Sequence, residues 1–365
     1  MLFYTKKGVL EGHMKQTVKI CNTTNYESSL KELATANLVI LMAQSATFER
    51  CVVKMGEIIP QVPNIGVCGQ GYYELNDHPN DIILVGFYGC EAIADVIEDV
   101  ERPILSVQKI KEYVNAIKGN ESNTVCLDFT TGNDSVVVTT LNTCLYEKGI
   151  SLIGGTAWDN KVSYNGVMYE NACVYALIKN TNGNIRSYME NIYSIDESMP
   201  SLVATKIDEE SQKIITLDNK SASAVYQDIL NIRECDIESQ TFKNPIGRLV
   251  GDKTYIISVK NRCSDGSLEC YKRVNPMDVL TILKLGDYDA IVKDTVSTLK
   301  GEMSSIKGVF SVNCILRYMM FNDLNYMGDY LKNMNQLGNH VGFVACGEHF
   351  RTQHVNQTMT CFVFD

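Results

Sequence analysis

One pattern occurs three times along this chain: an apolar strand, a polar loop, a stretch with helical period, a second apolar strand and then glycine. The copies span residues 37–71, 124–160 and 307–348, and Asp134 and Gly338 are predicted to begin and end helices within them. Units of this kind predict an α/β fold with at least partly parallel strands, whose strand-end loops gather at one edge and form the usual crevice for ligands. All three glycine turns are therefore candidate sites.

Antiparallel hairpins are predicted between and after these units. Asn165-Gly166 and Asp265-Gly266 are turn dipeptides flanked by strand-like sequence. The predicted fold class is therefore α/β with mixed sheets, organised as two related domains of repeated strand-helix-strand units with antiparallel hairpins. A polar and acidic stretch around Pro200 shows the least pattern, and we expect the domain boundary near residue 215, with domains at 20–215 and 216–365.

Composition and charge restrict the function. A formal net charge of -10, with no run of lysine and arginine to offset it, argues against nucleic acid as a partner. The first residues, MLFYTKKGVLEGH, lack an apolar signal core, and the longest apolar run, residues 172–178, is far shorter than the roughly 18 residues of a spanning helix. Thirteen cysteines without an export signal indicate reduced thiols. We expect a cytoplasmic protein without membrane insertion or cofactor.

The sequence VGFVACGEHF contains the strongest candidate for a ligand site. Its apolar residues run up to Cys346, Gly347 allows the backbone to turn, and Glu348 is left at the end of the strand. Glu348 is either a ligand-binding carboxylate or a solvated surface group. Arg317, which follows another apolar strand, is either an anion clamp or an edge residue with a buried stem. Gly154-Gly155 is either a tight strand exit or a set of backbone donors for an anionic group.

Four residues near the C-terminus invite a metal or nucleophile interpretation: His340, Cys346, His349 and His354. In one strand, His340 and Cys346 would lie roughly 20 Å apart, too far to share an ion, so we expect no metal site. Cys346 and His349 could approach across the turn and provide a thiolate with its base. Intracellular cysteines are more often small core residues, and both interpretations stay open.

Several segments, in order, resemble the FIST family across nearly the whole chain. They are NIGVCGQG, LIGGTAWDN, NGVMYENACVYAL, NPIGRL, SDGSLECYKRV, CILR, GFVACGEHF and HVNQT. The sequence departs from the family pattern at Tyr72, where the family usually has an acid. It departs again at Cys314-Ile315-Leu316-Arg317, where the glycine of Cys-x-Gly-Arg is replaced. The resemblance implies an N-terminal and a C-terminal FIST domain.

The resemblance also implies a sensory function. FIST proteins are regarded as sensors of small ligands, with amino acids suggested, and this chain shows no output module of its own. We therefore expect a small, amino-acid-like ligand and an unidentified signalling partner that acts in trans. The expected ligand-binding residues are Glu348, Arg317, Gly347, Cys314, Gly154, Gly155 and Gly71.

The proposed ligand geometry uses opposite charges. Glu348 would bind the ammonium group of an amino acid and Arg317 its carboxylate, unless the two residues simply pair with each other. Two other function classes remain: a cysteine-dependent hydrolase or transferase that uses Cys346 or Cys314, and a protein-interaction scaffold without ligand. The chain lacks the G-x-S-x-G, P-loop, Rossmann and H-E-x-x-H signatures, which favours a non-enzymatic role.

Overall fold

The computed structural model of this chain describes residues 12–132, 134–251 and 253–365. The expectation about an export signal concerns mainly residues 1–11, which lie outside the described residues.

Three related units and one insertion make up the described chain. The first unit, with the strand before it, contains β1 Lys15–Cys21, α1 Tyr26–Lys31, β2 Leu38–Ala43, α2 Ser45–Ile58, β3 Asn64–Cys68, β4 Gln70–Tyr73, β5 Asn76–His78, β6 Ile82–Tyr88 and β7 Cys90–Ile97. The second contains α3 Val107–Ile117, β8 Thr124–Thr130, α4 Asp134–Leu145, β9 Ser151–Thr156, β10 Val162–Tyr164, β11 Val167–Tyr169, β12 Cys173–Asn180 and β13 Ile185–Asn191.

The insertion separates the second unit from the third. It contains β14 Tyr193–Ile195, β15 Leu202–Asp208, β16 Lys213–Leu217, β17 Lys220–Ser221, α5 Ala222–Leu230, α6 Ile237–Gln240, β18 Ile246–Val250, β19 Lys253–Ile257, β20 Val259–Arg262, β21 Leu268–Cys270 and β22 Val279–Leu285. The third unit contains α7 Tyr288–Glu302, β23 Gly308–Cys314, α8 Ile315–Asp323, α9 Met327–Met334, β24 Asn339–Ala345, β25 Glu348–Phe350, β26 Gln353–Val355 and β27 Thr358–Phe364. Short 3₁₀ helices lie at Pro103–Ser106, Tyr146–Lys148, Trp158–Asn160, Glu234–Asp236 and Asn335–Leu337.

Each unit has a parallel pair of strands at the middle of a six-stranded sheet. The pairs are β2 with β3, β8 with β9, and β23 with β24. A later strand of each unit returns antiparallel beside the first of the pair, as β6, β12 and β27 do. The predicted strand-helix-strand units and the mixed α/β fold class are confirmed.

The hairpin that follows each parallel pair does not stay in its own sheet. β4–β5 pairs with β24, β10–β11 pairs with β3, and β25–β26 pairs with β9. Each unit thus lends one hairpin to another in a cycle. Because these hairpins complete the backbone hydrogen bonds of foreign sheets, the three units are interlocked.

The inner faces of the three sheets enclose one core. Side chains alternate along each strand, so Phe129, Phe310 and Phe343 point inward, with ring centroids of Phe129 6.5 Å from Phe310 and 5.5 Å from Phe343. The alternate residues of these strands face outward and pack under helices. Val39 of β2 and Phe48 of α2, for example, lie in one apolar cluster. Both faces of the parallel strands are therefore apolar, which explains why these strands read as continuous hydrophobic runs.

The insertion forms a fourth, nine-stranded antiparallel sheet covered by α5 and α6. The acidic stretch around Pro200 contributes β15 and β16 to it, because Leu202, Ala204, Ile214 and Leu217 supply enough apolar side chains for a buried face. Residue 215, near which the sequence places the domain boundary, lies within β16. Within the described ranges, no helix is both long and apolar enough to cross a membrane.

Candidate functional site

The carboxyl ends of β9 and β24 meet directly. The backbone N–H of Thr156 donates to the carbonyl of Gly347 at 2.9 Å, and the N–H of Cys346 donates to the carbonyl of Thr156 at 3.0 Å. This junction brings together the start of α4 and the first strand of the β25–β26 hairpin. Carboxyl ends of parallel strands are where α/β sheets usually bind ligands.

A group of charged and titratable side chains lies at this junction, and we call it the ion cluster. Five of its members are at most 8% exposed, and the side chain of the sixth, His354, is 11% exposed. The members are Asp128 at the end of β8, Asp134 at the start of α4, Lys272 after β21, Glu348 and His349 in β25, and His354 in β26. Charged groups buried together in this way are uncommon unless they are paired or bind a ligand.

His349 lies between two carboxylates. Its Nδ1 is 2.7 Å from Oδ2 of Asp128, and its Nε2 is 3.8 Å from Oδ1 of Asp134. Burial alone would lower the pKa of His349, but the Asp128 and Asp134 carboxylates raise it above its ordinary value. His354 completes the arrangement, with Nε2 3.5 Å from Oδ2 of Asp134, and the Thr156 hydroxyl donates to the same Asp134 oxygen at 3.0 Å.

Glu348 is held at one of its two oxygens. Oε1 accepts hydrogen bonds from the backbone N–H and the hydroxyl of Thr358, at 2.8 and 2.5 Å. Oε2 is buried and has no hydrogen-bond partner among the described residues. Burial raises the pKa of Glu348 to about 7, although the bonds from Thr358 and from the Cys314 thiol oppose this shift.

Lys272 is a buried ammonium with no hydrogen-bond partner among the described residues. Burial lowers the pKa of Lys272 to about 8, against the opposing effect of the Asp134 and Glu348 carboxylates. Gly347 leaves room for this side chain, because a Cβ at residue 347 would lie 2.7 Å from Nζ of Lys272 and 2.6 Å from Nε2 of His354.

Several residues predicted from the sequence do meet at this junction. Gly155 and Gly154 are paired in register with Glu348 and His349. The two glycines lie inside β9 and not in a turn, and a Cβ on Gly155 would lie 2.6 Å from Cβ of Ala345. They therefore admit a close strand neighbour, and the structure gives no sign of the anion cradle considered from the sequence. Cys314 is fully buried, and its thiol contacts Glu348.

Arg317 does not contact Glu348 among the described residues. The expected pair of ligand-binding charges, Glu348 with Arg317, is therefore not formed. CILR begins helix α8, so Arg317 is in the first helical turn and not at a strand end. Its guanidinium is completely buried and is bound by the Glu190 carboxylate and, at 2.7 Å, by Oδ1 of Asn313. The arginine therefore already has a counter-ion within the protein core.

Gly71 also differs from its prediction. It lies inside β4, in register with Phe343, whereas the sequence predicted that it belongs to a glycine turn at the end of the first unit. The structural counterpart of Gly347 is Gly69, since both immediately precede the swapped hairpin and have φ of 148° and 155°. Gln70 thus occupies the position that corresponds to Glu348.

The histidines and cysteines of the C-terminal segment separate into two groups. His340 lies near the amino end of β24, where it contacts Ser311 at 2.8 Å, and burial lowers the pKa of its imidazole to about 3. Cys346 reaches the surface at the ion cluster, yet desolvation, Asp134 and Asp159 raise the pKa of its thiol to about 11. No described hydrogen bond joins Cys346 to His349.

Sequence reasoning missed three members of the ion cluster. Asp128 carried a readable signal, because it is a charged residue inside the apolar strand TVCLDF. Asp134 was recognised only as a helix cap, although a carboxylate that follows a parallel strand is a site candidate by the same rule that selected Glu348. Lys272 carried no signal, since it reaches the cluster from the inserted sheet.

Fold and site together define an α/β protein with a buried polar site at the carboxyl ends of its parallel strands. The FIST N domain matches residues 37–220 and the FIST C domain matches residues 222–351, and the chain therefore belongs to the FIST family. FIST domains are sensory domains in signal transduction. No curated protein matches the chain. The ion cluster combines side chains from both matched segments, since Asp128 and Asp134 belong to the first and Lys272, Glu348 and His349 to the second.

Proposed function

We propose that this protein is a cytoplasmic sensor that binds a small, amino-acid-like ligand at the ion cluster and signals through a partner protein in trans. One observation carries the proposal: Nζ of Lys272 and Oε2 of Glu348 are buried atoms of opposite charge, and neither has a hydrogen-bond partner among the described residues. Buried polar atoms nearly always have a hydrogen-bond partner. Two oppositely charged atoms without one, in the same buried cluster, therefore favour a bound ligand.

An amino acid offers complementary groups to both atoms. Its carboxylate would bind the Lys272 ammonium, and its own ammonium would bind Oε2 of Glu348. Lys272 thus takes the role that the sequence assigned to Arg317, while Glu348 and Gly347 keep their predicted roles. Cys314, Gly154 and Gly155 contribute indirectly, by contacting Glu348 or by admitting its strand against β9.

The position of Lys272 suggests how occupancy is transmitted. Lys272 lies in the insertion, between β21 and β22, whereas Glu348 lies in β25 of the third unit. A ligand that bridges the two residues binds more tightly when the insertion lies close to the three units. Binding therefore shifts the population of protein molecules toward that closed arrangement. The partner in trans would recognise the arrangement that the ligand favours.

The alternative of a cysteine-dependent hydrolase or transferase has less support. A nucleophilic thiol needs a lowered pKa, whereas desolvation raises the pKa of both Cys346 and Cys314. Labelling with a thiol reagent checks this point: a Cys346 that reacts much faster than free cysteine at neutral pH would favour the enzyme.

Calorimetry with a panel of amino acids tests the proposed site. For the amino acid that binds wild-type protein, Lys272→Met and Glu348→Gln are expected to weaken affinity by about tenfold to a hundredfold, because each removes a charge-assisted hydrogen bond. Lys179→Met is the matched control, since Lys179 is partly buried in an ion pair with Glu91 outside the cluster. Equal affinities in all three variants and the wild type would contradict the site. Native mass spectrometry of protein from its own source would identify a retained ligand.

A further inference from the structure

Three side chains of the ion cluster place metal-binding atoms close together. One ligand atom each from Asp134, His349 and His354 lies within 4.8 Å of the other two. The separations from the Asp134 oxygens are 3.8 Å to Nε2 of His349 and 3.5 Å to Nε2 of His354. Two ligands at about 2.0–2.1 Å from one ion are roughly 3–3.5 Å apart, so small side-chain movements would complete the site.

The surroundings of His349 are those of a metal ligand. Asp128 holds Nδ1 at 2.7 Å, which fixes the ring and leaves Nε2 free. Metal-binding histidines usually have such a carboxylate on the second nitrogen. Nε2 of His349 and Oδ1 of Asp134 are both buried and without a hydrogen-bond partner among the described residues. The two atoms lie 3.8 Å from each other, too far for a hydrogen bond, and their lack of hydrogen bonds is an observation separate from the clustering.

Formal charge also favours a cation. Three carboxylates, those of Asp128, Asp134 and Glu348, share the cluster with the single ammonium of Lys272. Counted with ionised carboxylates and neutral imidazoles, these groups carry two formal negative charges in excess of the ammonium. One divalent ion would neutralise them.

We propose that Asp134, His349 and His354 bind one divalent transition-metal ion of the zinc or iron(II) class. Two imidazoles and one carboxylate suit these ions and leave coordination positions open. The inference departs from the expectation of no metal, which considered only the C-terminal histidines and cysteines. The fold brings Asp134 close to the two histidines, because β25 pairs with β9 beside the start of α4. The site goes beyond the proposed function and uses other side chains than Lys272 and Glu348.

Cobalt(II) titration of the full chain, after removal of metal by a chelator, tests the proposal. We expect one Co²⁺ per chain with visible absorption bands, displaced by Zn²⁺. His354→Gln and Asp134→Asn should weaken Co²⁺ binding by roughly a hundredfold, since each replaces a metal ligand by a neutral amide, which binds transition metals more weakly. His78→Gln is the matched control, because His78 also contacts a carboxylate, that of Asp81 at 2.9 Å, but lies outside the cluster. Its Co²⁺ affinity should equal that of the wild type.

The proposal is overturned if folded wild-type protein fails to bind Co²⁺ or Zn²⁺ stoichiometrically. It is equally overturned if His354→Gln, Asp134→Asn and His78→Gln all bind Co²⁺ as the wild type does. Circular dichroism of each metal-free variant establishes that the fold is intact. The titration contains no amino acid, so its failure is distinguishable from failure of ligand binding at Lys272 and Glu348.

Discussion

At the scale of single residues, Arg317 is the clearest case of a charge used for structure. Its salt bridge with Glu190 is entirely buried, and its guanidinium lies over the rings of Phe321 and Tyr330, 4.5 and 4.9 Å from their centroids. The sequence around Arg317 does not indicate Glu190 as its partner, because Glu190 precedes the arginine by more than a hundred residues.

Removing one member of this pair is expected to destabilise the protein strongly. Arg317→Met leaves the Glu190 carboxylate buried without a counter-ion, which should lower the free energy of unfolding by about 3–5 kcal/mol. Glu190→Gln should also destabilise, and the double variant Arg317→Met/Glu190→Gln should cost less than the two single losses together. Urea denaturation measures these free energies. Strictly additive losses would contradict a coupled pair.

His340 is expected to make the protein sensitive to acid. Burial lowers the pKa of His340 to about 3, whereas an unfolded histidine takes up its proton near 6.5. As the pH falls from about 6.5 toward 3, only the unfolded state gains this proton. The contribution of His340 to the free energy of unfolding therefore falls by up to about 1.4 kcal/mol per pH unit. It is fully present above pH 6.5.

The groups that face His340 are the Ser311 hydroxyl and the rings of Tyr72 and Tyr330. His340→Gln retains a polar group near Ser311 and does not titrate. The stability difference between wild type and this variant should shrink between pH 7 and pH 4 in urea denaturation. A difference that stays constant over this range would show that His340 is not the acid-sensitive group.

At the scale of elements, the sequence predicted those features that depend on residues close together in the chain. Strand-helix-strand units and the Asn165-Gly166 hairpin follow from hydrophobic period and turn residues, and the structure has them, with Asn165 and Gly166 at φ of 47° and 80°. The exchange of hairpins between sheets was not predictable, because strand pairing over long sequence separations leaves no periodic signal. Glu348 and Gly347 were predicted as site residues from the local sequence of a strand and its turn. Lys272 was not predicted, because only a long-range contact brings it to the ion cluster.

A methyl group in the turn between β24 and β25 is expected to weaken binding at the ion cluster as well as the stability of the turn. In Gly347→Ala the new Cβ meets only the ends of the Lys272 and His354 side chains, which can move aside. Stability should fall, because alanine rarely adopts the φ of 155° that Gly347 has. Co²⁺ or amino-acid binding should weaken as well, because both side chains leave their positions. Calorimetric titration and thermal melting measure the two effects.

Gly342→Ala serves as the control, because it should lower stability alone. Its Cβ would lie 2.3 Å from the fully buried ring of Tyr72, away from the ion cluster. Overpacking of this kind costs about 1–3 kcal/mol, so melting should fall while binding at the cluster is preserved. If Gly347→Ala instead loses stability and keeps its affinity, the turn has a structural role alone.

At the scale of the whole molecule, the three units form one folded body although two family domains match the chain. The N-terminal match covers the first two units from β2 onward together with the first strands of the insertion, and the third unit lies after the insertion in the C-terminal half. Hairpins cross between these halves in both directions, since β4 pairs with β24 and β25 pairs with β9, and β13 pairs with β27. We therefore expect the halves to depend on each other for folding.

Cutting the backbone between β15 and β16 tests this dependence. Glu209 and Glu210 are exposed in this turn, close to the predicted boundary near residue 215, so a glutamate-specific protease should cleave there first. The two fragments should elute together on size-exclusion chromatography under native conditions and separate only in urea, because the exchanged strands and the shared core hold them together. The Glu209→Gln/Glu210→Gln variant should resist this cut. Fragments that separate without denaturant would show instead that the two halves fold independently, and the domain boundary predicted from the sequence would then be a physical one.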